Sequence, residues 1–120
     1  MGSGSSLIEV VQAERQQEGG TGRRRFVIRV TGELDINHAG DLRDALHTLV
    51  AGAEAPAEIV VDLSNSSFCD SSGLNALLDG RLAALERGHT VSLAAPSHQM
   101  LRLLDLTGTI DLFPVGPAVD

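Results

Sequence analysis

The sequence predicts a single α/β domain: a mixed, mostly parallel sheet of about five strands with interleaved helices, in the order β-β-α-β-α-β-α-β. Three features predict it. Runs of β-branched residues alternate along the chain with segments whose leucines recur at helical spacing. Glu58-Ile59-Val60-Val61-Asp62-Leu63 is an apolar run with an acidic exit, the pattern of a strand covered on both faces in a parallel or mixed sheet. A chain of 120 residues with 42% hydrophobic content suffices for one core and not for two.

Each element has a local reason. Residues 1–6 (Met1-Gly2-Ser3-Gly4-Ser5-Ser6) read as a flexible leader, residues 7–115 as the domain and residues 116–120 as a tail. Leu7 to Ala13 carries Ile8, Val10 and Val11 in partial alternation and reads as a strand. Glu14 to Arg24 is polar, holds Gly19, Gly20 and Gly22, and reads as a loop. Arg25 to Thr31 is rich in β-branched residues and reads as the second strand, closed by Gly32-Glu33-Leu34-Asp35. Leu42, Ala45, Leu46 and Leu49 predict a helix over Ala39 to Val50, and Gly52 can stop it. Strand Glu58–Leu63 follows, then a polar loop from Ser64 to Ser71. A helix from Ser72 to Arg87 is predicted with Leu74, Leu77, Leu78, Leu82 and Leu85 on its apolar face and Gly88 at its end. Thr90 to Ala94 reads as a strand. Pro96-Ser97 opens a helix carrying Met100, Leu101, Leu104 and Leu106, and Ile110 to Phe113 reads as a last short strand. Strands alternating with helices imply right-handed crossovers.

Composition excludes several functions. The net charge of −7 opposes nucleic-acid binding, and 2% aromatic content with no Trp or Tyr gives bases nothing to stack on. The basic cluster Arg23-Arg24-Arg25 reads as a solvated loop end that blunts an edge strand. The longest apolar run falls short of the ~20 residues of a membrane span, and no secretion leader is recognisable. A single cysteine, Cys69, allows neither an internal disulfide nor a cysteine-based zinc cluster, which fits a reducing, cytoplasmic location. Cys69 reads as a small buried hydrophobe. His38, His47, His89 and His98 lack metal-ligand spacing and read as surface or loop residues, so no metal is expected. The chain has no lysine and hence no Gly-Lys-Ser/Thr phosphate loop, so neither a nucleotide cofactor nor NTPase activity is expected. A hydrolase nucleophile elbow needs Gly two positions before its serine, where Ser71 has Cys69. No catalytic residue is therefore assigned. The polar helix faces make a monomer the default.

Asp70-Ser71-Ser72-Gly73 stands where a loop opens a helix. There Ser71 or Asp70 can serve simply as a cap, accepting from the unpaired N–H groups of the first turn. Two features suggest more. Asp35 and Asp62, read as strand ends, would gather beside Ser71 at the carboxyl edge of the sheet, where open α/β sheets bind ligands and partners. Gly73 would also leave the approach to both serines open. A phosphate on Ser71 is physically admissible, because a helix N-terminus offers N–H donors and the positive end of its dipole. Its charge of roughly −1.5 to −2, beside Asp70, would repel a partner that docks on the neutral form.

Phe68-Cys69-Asp70-Ser71-Ser72-Gly73-Leu74 resembles the phosphorylation motif of STAS-domain anti-sigma factor antagonists. Gly32-Glu33-Leu34-Asp35 is similar to that family's motif after the second strand, and Leu101-Arg102-Leu103-Leu104-Asp105-Leu106-Thr107-Gly108 to its late helix and turn. The three occur in the family's order and approximate spacing over residues 7 to 115. The resemblance implies a STAS-like fold and a non-enzymatic role: binding an anti-sigma factor, often itself a serine kinase, and so freeing a sigma factor. It implies phosphorylation of Ser71 as the off switch and a phosphatase as the reset. Asp35, Asp70, Ser72 and Gly73 would flank Ser71 in the docking surface. His38 stands where the family commonly has a small hydroxyl residue, and Asn75 where it commonly has Gly; both lie close to that surface. The family usually ends in a further helix, which here would be truncated or absent. The alternative is a STAS interaction module of another complex, a stress-sensing assembly or a lipid or anion transport system.

Overall fold

In the computed structural model the described residues are 8–12 and 24–119. The predicted leader and nearly all of the predicted Glu14–Arg24 loop lie outside them. The elements are β1 (Ile8–Gln12), β2 (Arg24–Leu34), α1 (Ala39–Gly52), β3 (Ala57–Cys69), α2 (Ser71–Glu86), β4 (Thr90–Ala94), α3 (His98–Leu106), a 3-10 turn (Ile110–Leu112) and β5 (Val115–Gly116). The sheet order is β1-β2-β3-β4-β5. β1 runs antiparallel to β2, and every later pairing is parallel.

Alternation sorts the strand residues onto two faces. Ile28, Val30, Ile59, Val61, Leu63, Val91 and Leu93 point to the side covered by all three helices, where Leu42, Leu46, Leu74, Leu77, Met100, Leu104 and Phe113 complete the core. Among the described residues no helix covers the other face. There Val27, Val60 and Ala94 form a small apolar cluster against which Val119 rests. Charges flank it: Arg25 Nε lies 3.7 Å from Glu58 Oε1, and Arg29 bridges Glu9 (3.7 Å) and Asp62 (3.6 Å). From Ile59 to Leu63 β3 is thus buried on both faces, as its apolar run implies.

Six expectations are corrected. The predicted loop Ser64–Ser71 is mostly strand. β3 continues to Cys69, advancing three residues from Asp62 to Asn65 while β2 advances two from Arg29 to Thr31, and slipping again between Gly32 and Glu33. Such bulges break the period of two, so a polar stretch loses its strand signature. Asp62 is consequently no strand end: it is buried in the middle of β3 on the helix-free face, where its Oδ1 accepts from the Ser64 N–H (3.0 Å) and hydroxyl (2.8 Å). Ile110–Leu112 is a 3-10 turn, and the last strand is Val115–Gly116. Leu82, Leu85 and Leu106 are exposed. The inner face of α2 is made instead by Leu74 and Leu77 with Ala76, Gly80 and Ala84, and Gly80 lets α1 approach so closely that a Cβ there would strike Leu46. Finally, His89 is buried, and its Nδ1 accepts from the Ala57 N–H at 3.1 Å, tying the start of β3 to the start of β4. Arg24, predicted as the last residue of the loop, opens β2 itself, and Arg25 lies in that strand as predicted.

Candidate docking and phosphorylation site

The site forms where the two long strands end together. Leu34 pairs with Cys69, and the Asp70 N–H donates to Leu34 O at 3.3 Å. Asp35 and Asp70 therefore leave the sheet side by side, at the carboxyl ends of parallel strands.

Asp70 is the cap of α2. Its extended backbone (φ −111, ψ −170) aims the carboxylate back over the helix start, and Oδ1 accepts from the N–H groups of Ser72 (2.8 Å) and Gly73 (3.3 Å). Ser71 is thus the first residue of the helix and not its cap. It is exposed, and its hydroxyl has no partner among the described residues. The donors expected to cradle a phosphate are in this state committed to Asp70. Replacing Asp70 with Ala should cost about 1–2 kcal/mol of stability in urea denaturation, while Asp70→Asn, which keeps the acceptor, should stay near wild type. Equal losses in the two variants would show that the cap is not what the carboxylate contributes.

Gly73 is buried, and its place in the site is steric. A Cβ there would lie 2.5 Å from Leu34 O, 2.7 Å from Leu34 Cγ and 2.9 Å from Cys69 Sγ. The first turn of α2 thus rests on the end of β2. Ser72 is half-buried, and Asn75 is exposed one turn beyond Ser71 on the same side of the helix.

The turn after β2 is ordered by Asp35. Its backbone carbonyl accepts from the N–H groups of His38 (3.0 Å) and Ala39 (2.8 Å), and its Oδ1 from the Asn37 N–H (3.0 Å). His38 Nδ1 lies 2.9 Å from Glu33 O and 3.1 Å from Asp35 Oδ1. Both neighbours are acceptors, so Nδ1 carries the hydrogen and donates. This turn presents Ile36, 76% exposed, to solvent, and Phe68, the first residue of the serine motif, is also exposed. Sequence reasoning included Phe68 in the motif but passed over Ile36, because a lone exposed apolar residue carries no period.

Cys69 is inert in this setting. Burial, with the adjacent Asp70 carboxylate adding to it, pushes its thiol up to about 12, so it stays protonated at neutral pH. Sequence reasoning also missed Gln99. Its Oε1 accepts from the Cys69 N–H (2.9 Å) and its Nε2 donates to Cys69 O (2.7 Å). No local pattern announces a contact formed across thirty residues of chain. Among the described residues no helix is long and apolar enough to cross a membrane, and no group of three or more His, Cys, Asp or Glu could hold a metal.

Asp35, His38, Asp70, Ser71, Ser72, Gly73 and Asn75 are thus brought to one edge of the sheet, and Asp62 is not. The fold and the sequence match those of known proteins. The family model described as Mlab, STAS domain matches residues 20–114. An anti-sigma-B factor antagonist of Bacillus subtilis is 30% identical over 89 residues, 74% of this chain and 79% of the relative. Among solved structures, an anti-sigma factor antagonist from Mycobacterium paratuberculosis superposes with a TM-score of 0.72 at 26% identity, covering 94% of this chain and 88% of that one. The Bacillus cell fate determinant SpoIIAA in its phosphorylated form shares the fold, with a TM-score of 0.67 at 22% identity over 94% of this chain and 92% of its own. With its five-stranded mixed sheet, three helices on one face and serine-bearing helix start, the chain belongs to the STAS domain family.

Proposed function

We propose that this protein is an anti-sigma factor antagonist controlled at Ser71. With Ser71 unmodified, the surface around it binds an anti-sigma factor that is also a serine kinase, and a sigma factor is released. The kinase then phosphorylates Ser71, which ends the binding, and a phosphatase restores it. The protein acts in the cytoplasm as a binding partner, not an enzyme, and is a monomer when free. The observation that carries this reading is the exposed, unpartnered Ser71 hydroxyl on the first residue of α2, beside two strand-end carboxylates. The relatives named as anti-sigma-B factor antagonists support the partner class, and the phosphorylated form of SpoIIAA supports the chemistry. Asp35, His38, Asp70, Ser72, Gly73 and Asn75 build or border the docking surface. Ile36 adds an apolar side chain held by an ordered turn, the kind of rigid anchor on which interfaces concentrate their energy.

The direct test is to purify the tagged chain with its bound proteins, add ATP and magnesium, and map modification by mass spectrometry. The expected result is an anti-sigma kinase in the complex, phosphate on Ser71 and dissociation. Recovery of membrane-transport subunits instead, or no phosphate on Ser71 with any recovered kinase, would sink the proposal.

A further inference from the structure

We propose that Gln99 is a positioning residue for Ser71, whose side-chain amide substitutes for a neighbouring strand at the last residue of β3. β4 stops pairing with β3 at Asp62, opposite Ala94. From Leu63 onward β3 has no strand on that side among the described residues. Within one strand residue the N–H and C=O point the same way, and at Cys69 they point to this unpaired side. Gln99 meets both: the Cys69 N–H donates to Oε1 at 2.9 Å and Nε2 donates to Cys69 O at 2.7 Å. The next N–H, that of Asp70, turns the other way and donates to Leu34 O at 3.3 Å. The two residues before Ser71 are thus gripped from opposite sides, by a helix and by a strand.

The grip is itself anchored. Gln99 lies in the first turn of α3, where Ser97 Oγ accepts from the Met100 N–H at 3.1 Å and Met100 is buried in the core. Gln99 is otherwise exposed and contributes little to core packing, so its truncation removes the two hydrogen bonds and little else. Without them the Cys69 amide is open to water, and the turn that sets the direction of the Ser71 hydroxyl is held on one side only. The meaning of this for regulation rests on Ser71 being the switch residue. The test needs no partner, so failure of the clamp and failure of the switch are distinguishable.

The test is amide hydrogen exchange and chemical-shift mapping by NMR on the full chain with Gln99→Ala and Gln99→Glu. In Gln99→Ala the Cys69 amide should exchange at least tenfold faster and the Ser71 and Ser72 amide resonances should shift, while Ile59–Leu63 keep their protection. Gln99→Glu keeps an acceptor for the Cys69 N–H but sets an oxygen against Cys69 O, so it should shift Ser71 as well, with a smaller rise in Cys69 exchange. Unchanged Cys69 exchange and Ser71 shifts in both variants would overturn the proposal. So would a uniform loss of protection along β3, which would mark Gln99 as a contributor to global stability alone.

Discussion

Replacing Ser71 with Asp is expected to weaken binding of the anti-sigma factor by about a hundredfold or more, roughly 3 kcal/mol, while Ser71→Ala binds within a few-fold of wild type. The argument compares two effects of one added charge. On the fold, a carboxylate in the first turn of a helix is favoured by about 0.3–1 kcal/mol, and repulsion from Asp70 offsets part of that. The melting temperature should therefore barely move. On the complex, the new charge lies at the centre of the proposed docking surface, and the N–H groups of Ser72 and Gly73 in the same turn are occupied by Asp70. An unpaired charge buried in an interface costs about 2–5 kcal/mol. The interface effect is the larger, so affinity should fall without loss of stability. Calorimetric titration of both variants against the co-purified anti-sigma factor reads this directly. If Ser71→Asp binds as well as Ser71→Ala, charge does not operate the switch.

The second large effect is steric. Gly73→Ala should lower stability by about 2–3 kcal/mol and the melting temperature by roughly 10 °C. Helix propensity alone predicts the opposite sign, a gain of up to about 1 kcal/mol. Sterics win because the first atom met, 2.5 Å away, is the backbone carbonyl of Leu34, which already accepts from the Asp70 N–H and has no rotamer to change. Either α2 lifts or the end of β2 bends. Gly40→Ala in α1 is the matched control: a Cβ there meets nothing within 4 Å, so it should be neutral or stabilising. Urea denaturation of both variants decides the matter. Equal stabilities would mean that the junction yields more readily than close packing allows.

What the sequence revealed, and what it hid, follows from the range of each interaction. Arg25–Thr31 and Glu58–Leu63 were legible as strands because β-branched residues act locally. Asp70 and Ser71 were legible as a helix start for the same reason. The extension of β3 through Ser64–Cys69 was hidden by two bulges, and that error also put Asp62 at the wrong end of its strand. Leu82 and Leu85 misled because leucine spacing cannot reveal that α1 needs a small residue, Gly80, at its closest contact. β5, two residues long, has no period to read. In the site, the polar residues and the glycine fixed by their own turns were identifiable, and Ile36, which has no periodic partner, was not. Gln99, which acts from a distant helix, was not.

The strand order has a consequence for how the chain opens and closes. Each strand lies beside its neighbours in the chain, so the sheet can fray inward from either rim without unthreading. β1 and β5 are its rims, five and two residues long, while β2 and β3, with eleven and thirteen, form the centre. Partial unfolding should therefore shed the rims first and leave the central pair as the last cooperative unit. Asp35 and Asp70 hang from the ends of that pair. The face proposed for docking is attached there, so it should stay displayed while the rims fray, and the proposed switch would then answer to chemistry at Ser71 more than to breathing at the edges of the sheet.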